Sequence, residues 1–447
     1  MIFKRKIYNK MLEWKNKSSG KTALLLEGAR RVGKSFICQE FALHEYKSHI
    51  IVDFANIDSK IKDLFIDESY NLDIFFSKLA NSYDVRLIKR QSLIVFDEIQ
   101  LLPRARQLIK YLVADGRYDY IETGSLLSIK TNIQNIVIPS EEERMEMFPL
   151  DFEEFLWAMG NTTTAPALME FYEKRMPLGE ALHRRVLNLF RQYMLVGGMP
   201  QAVLAFIGDM DYEAADREKR RILDLYREDI GKFALSHSGR VARLFDEIPG
   251  QLSRKEKVYR LSALGEQARM RTYEDAFLWL ADAMVVNPCF NATEPHAGLA
   301  LSQESARQKC YMADTGLLVT HAFRDTPYLE NFLYRAILLD KLGINEGMLM
   351  ENIVAQMLRA KGYRLFFYSR RGDNYRTDTM EIDFLLRKGA KICPVEVKSS
   401  AFRKHSSLDK FRRKFAKAIR ESVLLYPRDV MVRDGVLHLP LYMAMCL

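Results

Sequence analysis

The residues best placed to do chemistry lie between Ala23 and Ser35, in Ala-Leu-Leu-Leu-Glu-Gly-Ala-Arg-Arg-Val-Gly-Lys-Ser. Gly28, Gly33, Lys34 and Ser35 satisfy G-x-x-x-x-G-K-[ST] at every fixed position. Apolar Leu24 to Leu26 come before it, and Phe36, Ile37 and Phe41 follow at helical spacing. A strand that enters a glycine-bounded loop and leaves as a helix turns backbone N–H groups toward phosphate oxygens, with the helix N-terminus adding positive potential. The loop Gly28, Ala29, Arg30, Arg31, Val32, Gly33, Lys34 and Ser35 is therefore the expected ATP-binding segment. Lys34 would reach the outer phosphates and the Ser35 hydroxyl would ligate Mg²⁺.

A second run, Ser92-Leu-Ile-Val-Phe-Asp97-Glu98-Ile-Gln100, has the continuous apolar character of a strand covered on both faces and ends in two carboxylates. After a phosphate loop, Asp97 is the expected Mg²⁺ partner and Glu98 the group that polarises an attacking water. A third strand, Tyr118 to Glu122, opens into Thr123-Gly124-Ser125. There the Thr123 and Ser125 hydroxyls either sense the terminal phosphate or form a plain turn.

Strands must hold these groups in register, and the spacing supplies them. A basic helix is expected over 4–17, a strand over His49 to Phe54, and helices over Leu72 to Lys89 and Pro103 to Val113. Strands alternating with helices predict an α/β fold with a parallel sheet covered on both faces. Beyond it a charged run, Glu141-Glu-Glu-Arg144, leads to Asp151 and Glu154, which have the spacing of a helix-starting capping box.

Composition sets the limits. The chain has 447 residues, 48% hydrophobic and 28% charged, enough for two or three globular domains. A net charge of +9 permits nucleic-acid partners. Cys38, Cys289, Cys310, Cys393 and Cys446 are scattered and odd in number, the pattern of a reducing compartment without a zinc site. No stretch is long and apolar enough to span a bilayer, so no membrane partner is expected and the cytoplasm is the expected location.

Taken together, Gly28-Ala-Arg-Arg-Val-Gly-Lys-Ser35, Asp97-Glu-Ile-Gln100, Thr123-Gly-Ser125, Phe148-Pro-Leu-Asp-Phe-Glu-Glu-Phe155, Gly197-Gly-Met-Pro200, Asp314-Thr-Gly-Leu317 and Glu351-Asn-Ile-Val-Ala-Gln356 resemble prokaryotic AAA-type ATPases with a restriction-endonuclease-like C-terminal domain. The resemblance implies three parts: an AAA-type core over 1–160, a helical lid and winged-helix-like region over 161–327, and an α/β restriction-endonuclease-like domain over 328–447. It also implies ATP and Mg²⁺ as ligands, with DNA and further copies of the chain as partners. Family members often carry Gly-Arg where this chain has Glu143-Arg144, so Arg144 is given no role.

In the middle region, helices are expected over Leu182 to Leu195, Arg217 to Lys232, Val241 to Ile248, Lys255 to Leu264 and Thr272 to Val286, with a loop or wing over 291–308. Lys219, Arg220, Arg221 and Arg227 form either a solvated face or a reach toward a neighbouring subunit's phosphate. A winged-helix unit either enters a DNA groove, with Arg269 and Arg271 foremost, or docks protein.

The last region places Glu351 on a helix, Glu381-Ile-Asp383 on a strand and Pro394-Val-Glu396-Val-Lys398 on the next. Alternation puts Glu396 and Lys398 on one face, and antiparallel pairing would bring Asp383 beside them. This resembles an Asp…Glu-x-Lys nuclease core. Glu351, Asp383 and Glu396 would be metal ligands and Lys398 the group that positions water or offsets charge. An active nuclease and a retained fold without cleavage both remain open. A basic helix over Arg403 to Arg420, with Leu408, Phe411, Phe415 and Ile419 inward, either tracks a nucleic-acid backbone or is solvated.

Overall fold

Helix α1 (Lys6–Ser18) leads into β1 (Ala23–Gly28), followed by α2 (Lys34–Glu45), β2 (Ser48–Asp53), α3 (Ser59–Asp67), α4 (Leu72–Ser82), β3 (Ser92–Asp97), α5 (Pro103–Asp115), β4 (Asp119–Gly124) and β5 (Glu142–Met147). The structure, a computed structural model, describes residues 3–124, 140–234, 237–254, 258–264, 270–326, 330–338, 346–370, 380–399 and 406–447. The five strands form one sheet in the order β2-β3-β4-β1-β5, and every neighbouring pair is parallel. All six residues of β1 and of β4 are buried, as a parallel sheet layered on both faces requires. Leu24, Leu26, Leu93 and Ile121 pack against α1 and α2, while Ile94, Phe96 and Tyr120 pack against α3, α4 and α5. The α/β expectation from alternating elements holds for this sheet.

The charged run near Glu141 is not a connector but strand β5. It pairs with β1 along its whole length, from Ala23↔Glu142 to Gly28↔Met147. Being an edge strand, it keeps Glu143 and Arg144 toward water, and the acidic side chain it buries, Glu142, is paired with Arg106 Nη2 at 2.6 Å. Helix α4 stops at Ser82, short of the expected Lys89.

After β5 come α6 (Phe152–Ala158), α7 (Thr164–Lys174), α8 (Glu180–Val196), α9 (Pro200–Ile207), α10 (Tyr212–Phe233), α11 (Ser238–Leu252), α12 (Met270–Asp282), β6 (Val286–Ala292), β7 (Gln303–Met312), α13 (Thr315–Ala322), α14 (Asn331–Leu338), α15 (Glu346–Ala360), β8 (Leu365–Arg370), β9 (Met380–Ile382), β10 (Phe384–Lys388), β11 (Lys391–Val397), α16 (Ser406–Lys414), β12 (Val423–Tyr426), β13 (Met431–Arg433) and β14 (Val436–Pro440). The capping box at the start of α6 forms as the spacing predicts: Glu154 N donates to Asp151 Oδ1 at 2.9 Å and Asp151 N to Glu154 Oε2 at 3.1 Å. Two further sheets run β7-β6-β8-β9 and β10-β11-β12-β14-β13. Residues 303–308, expected as loop or wing, belong to β7, and β6 pairs in parallel with β8 at Cys289↔Leu365. The chain divides into two compact units, one of Lys4–Phe148 with Asp282–Met284, the other of Met1–Phe3, Pro149–Ala281 and Val285–Leu447. No helix among the described residues is long and apolar enough to cross a membrane.

Within the second unit, the Gly-Gly, Asp-Thr-Gly and Asn…Gln motifs meet. Asp314 Oδ1 accepts Leu317 N at 2.9 Å, and Gln356 Oε1 accepts both Thr315 N and Thr315 Oγ1 at 2.8 Å. Asn352 exchanges bonds with the backbone of Met312 at 2.8 and 3.1 Å, while Gln356 Nε2 donates to Tyr193 Oη at 3.0 Å. All of these side chains are buried, so each polar group finds its partner inside the protein.

Candidate functional site

β1 ends at Gly28, and the loop Ala29 to Gly33 turns the chain into α2. Arg31 sits at φ 68° and Gly33 at φ 102°, and left-handed residues in such a loop gather amides on one side. Gly28 must lack a side chain: a Cβ there would lie 2.5 Å from the carbonyl oxygen of Met147 on the neighbouring strand. Ala29 and Val32 are buried and Arg30 and Arg31 exposed. Lys34 and Ser35 form the first turn of α2. The Lys34 ammonium donates to the carbonyl oxygens of Gly28 at 2.9 Å and Ala29 at 3.2 Å. Burial pulls its pKa below the ordinary lysine value, and the charges of Glu98 and Asp97 oppose that pull.

Strand β4 separates β1 from β3, yet the two functional ends meet beyond it. Ser35 Oγ donates to Asp97 Oδ1 at 3.0 Å, and Thr123 Oγ1 donates to the same oxygen. Thr123 Oγ1 in turn accepts Glu98 N at 3.3 Å. Glu98 adopts a left-handed conformation at φ 54°, and its Oε2 accepts Gln100 Nε2. The sequence places Lys34, Ser35, Asp97, Glu98 and Thr123 in separate segments, and the structure brings them together. Thr123 acts here as the hydroxyl that ties Asp97 to the Glu98 backbone, and Ser125 lies outside the described residues. Ser35 Oγ and the Asp97 carboxylate, sharing one oxygen contact, are the hard oxygen donors Mg²⁺ takes, so they fit that ion.

Sequence reasoning missed a polar layer in the sheet beside the loop. Glu27, which immediately precedes Gly28, and Glu122 are buried, with Arg106 Nη1 3.6 Å from Glu122 Oε2 and Arg144 Nε 3.1 Å from Glu142 Oε1. Burial pushes the Glu122 carboxyl up to about 8 and that of Glu27 to about 6. The signal was a glutamate inside each of two strands that are buried along their whole length, Ala23–Gly28 and Asp119–Gly124.

In the second unit, Glu351 and Asp383 gather around a residue the sequence reading did not single out, Lys309, and the same two acids act on Lys398 beside Glu396. Its ammonium lies 3.0 Å from Glu381 Oε1, 3.5 Å from Asp383 Oδ1 and 3.7 Å from Glu351 Oε2. Lys398 pairs with Glu396 at 2.5 Å. For both lysines burial lowers the pKa, but nearby acidic groups outweigh it and hold them above the ordinary value: Tyr311, Glu381, Glu351 and Asp383 around Lys309, and Glu396, Asp383 and Glu351 around Lys398. A lone lysine entering the apolar run Cys310-Tyr-Met312 was the available clue.

Several of the other basic groups are already engaged. Lys219 is buried against Leu195 O and Tyr334 Oη, both at 2.8 Å, Arg220 binds Asp216 at 2.8 Å, Arg221 binds Glu218 at 2.5 Å and Arg227 binds Asp246. Burial lowers Lys219 to about 8. Helix α16 buries Leu408 and Phe411, and Arg412 closes on the carbonyl oxygens of Asp434 and Gly435. Arg269, Arg403 and Lys404 lie outside the described residues.

No curated protein matches the chain. Among solved structures it is similar to the Walker-type ATPase of Pyrococcus abyssi, with 16% identity over 72% of this chain and 96% of that one and a TM-score of 0.41. It is also similar to the Aeropyrum pernix ORC1 protein in complex with DNA (12%, 73% and 94%, TM-score 0.30) and to Drosophila ORC bound to DNA (13%, 71% and 94%, TM-score 0.29). Residues 187–327 and 346–442 match two domains of unknown function, DUF8612 and DUF4143. Residues 20–156 match the AAA domain, so the segment carrying Lys34, Ser35, Asp97 and Glu98 is a phosphate-loop ATPase domain of the AAA type.

Proposed function

We propose that the chain binds and hydrolyses ATP at this loop and that its nucleotide state governs engagement of DNA by the region that follows. The observation that carries the catalytic half is the convergence of Ser35 and Thr123 on one oxygen of Asp97, with Glu98 next in sequence. Loop amides and the start of α2 receive the phosphates, and Lys34 exchanges the Gly28 and Ala29 carbonyls for phosphate oxygens. Ser35 and Asp97 hold Mg²⁺, which neutralises charge on the transferred phosphoryl group. Glu98 orients and polarises the attacking water, and Gln100 steadies its carboxylate.

The DNA half is supported by the net charge of +9 and the basic residues of α16. A second reading, a nucleotide-controlled protein-interaction switch with an inactive nuclease-like domain, is favoured by one observation: Lys309 stands among the acids of the C-terminal cluster. Steady-state ATP turnover with and without duplex DNA separates the two. Stimulation that fades with rising salt fits DNA engagement, and turnover indifferent to DNA fits the switch.

A further inference from the structure

The geometry points to Lys309 as a built-in cation that takes the place of a divalent metal in the C-terminal carboxylate cluster, leaving Glu351 and Asp383 without a resident metal ion. The inference rests on the nuclease-like reading of Asp383, Glu396 and Lys398, and it concerns place rather than overall charge. A divalent ion shared by Glu351 and Asp383 has to lie about 2.1 Å from an oxygen of each. The Lys309 ammonium already lies between those two carboxylates, at 3.7 and 3.5 Å, and reaches Glu381 at 3.0 Å. It is not free to swing away. Lys309 is 1% exposed, sits in β7 opposite Cys289, and holds its ammonium 5.1 Å from the centre of the Phe367 ring.

Oxygens of the same carboxylates also meet other donors. Asp383 Oδ2 accepts Val397 N at 2.9 Å, Glu351 Oε2 accepts Tyr311 Oη at 3.1 Å, and Glu396 Oε1 holds Lys398. Among the described residues no group of three or more His, Cys, Asp or Glu side chains has the geometry to hold a metal ion. Four carboxylates against two ammonium groups keep the cluster acidic, so a cation drawn to it from solvent is held outside by charge alone, and losing the Asp383 charge weakens that attraction only modestly. The donor set does not fit a metal bound in the Glu351–Asp383 position.

The test is Mn²⁺ titration of the full chain without nucleotide, followed by electron paramagnetic resonance. Wild type and Asp383→Asn should give isotherms whose affinities differ by far less than tenfold. Lys309→Met should gain one ion with a dissociation constant on the order of 10–100 μM, between the ranges of oxygen-ligand sensor sites and of weaker extracellular ones, and Lys309→Met/Asp383→Asn should lose it. A wild-type ion whose affinity falls tenfold or more in Asp383→Asn overturns the inference, as does a folded Lys309→Met that gains none. If Lys309→Met is too unstable to purify, the wild-type comparison still decides. These measurements use neither ATP nor DNA, so failure of DNA-coupled hydrolysis leaves their outcome untouched.

Discussion

The Asp314 carboxylate accepts the Gly198 amide at 2.6 Å, joining residues 116 positions apart in a fully buried contact. Around it, Leu150 N donates to Gly198 O at 2.7 Å and Tyr193 Oη donates to Leu150 O at 2.8 Å. The motifs at 149, 197, 314 and 356, which in sequence look like scattered site signatures, are one internal fastening. Its glycines are required by contact: a Cβ on Gly198 would lie 2.1 Å from Leu150 O, and one on Gly316 would lie 2.3 Å from Val196 O.

Gly198→Ala should therefore destabilise the protein by about 1–3 kcal/mol, the usual cost of overpacking a filled site. Urea unfolding monitored by intrinsic fluorescence checks it. A midpoint equal to that of wild type would mean that the contact relaxes at no cost.

The buried glutamates make a pH prediction. Glu122 ionises near 4.5 in the unfolded chain and near 8 when folded, because burial disfavours its charge. Between those values the folded state holds a proton that the unfolded state has lost, so this group's contribution is complete below about 4.5 and is lost as pH rises through about 8. Melting temperature should fall from pH 6 to pH 8.5 in wild type and fall less in Glu122→Gln. Parallel pH profiles for the two proteins would count against the buried carboxyl.

How much was legible depended on how local the determining contacts are. Gly28 to Ser35 is a contiguous loop whose residues fix its own shape, so its place at the end of β1 and start of α2 could be read directly. The Asp151–Glu154 capping box is equally local. Strand β5 was not legible, because its buried Glu142 looks solvated until Arg106, from another helix, is brought to it. Lys309 was hidden for the same reason: its meaning comes from residues 351, 381 and 383, which lie more than forty positions away in the chain. The pairing of β6 with β8 joins segments more than a hundred residues from the first sheet by contacts that no local pattern announces.

Lys34→Ala should weaken ATP binding by roughly 10- to 100-fold, the value of a hydrogen bond to a charged group. The ammonium is anchored only to loop carbonyls in the described structure, so the fold should survive. Titration with a fluorescent ATP analogue, beside a thermal melt, separates lost affinity from lost structure; unchanged affinity would remove Lys34 from the phosphate site.

Arg5 offers a test of how the loop is held. It donates to Val32 O at 3.1 Å and to Phe148 O at 2.6 Å, tying the phosphate loop to the end of the first unit's last strand. Arg5→Met keeps the apolar stem but removes that donor from both carbonyls, at a cost of about 1.5–3 kcal/mol for each charge-assisted hydrogen bond lost. ATP affinity should drop although no group expected to touch the nucleotide has changed, and amide hydrogen exchange over 29–33 should quicken. Unaltered exchange in the loop would restrict Arg5 to a role at the strand end.

The last prediction separates binding from hydrolysis. Glu98 lies beside Asp97 but takes no part in the Ser35–Thr123–Asp97 contacts through its side chain, and its carboxylate is met by Gln100. Glu98→Gln preserves shape and removes the charge that accepts a proton or polarises water, so ATP and Mg²⁺ should bind as in wild type while turnover falls by about 10²–10⁴-fold, the range for loss of a general base. Asp97→Asn should instead weaken Mg²⁺-dependent binding itself, because Asp97 is the carboxylate that Ser35 and Thr123 share. Single-turnover hydrolysis measured at saturating ATP distinguishes them: a slow step at normal affinity for Glu98→Gln, and a raised Mg²⁺ requirement for Asp97→Asn. Normal turnover by Glu98→Gln would assign the water-activating role to another group in the cleft.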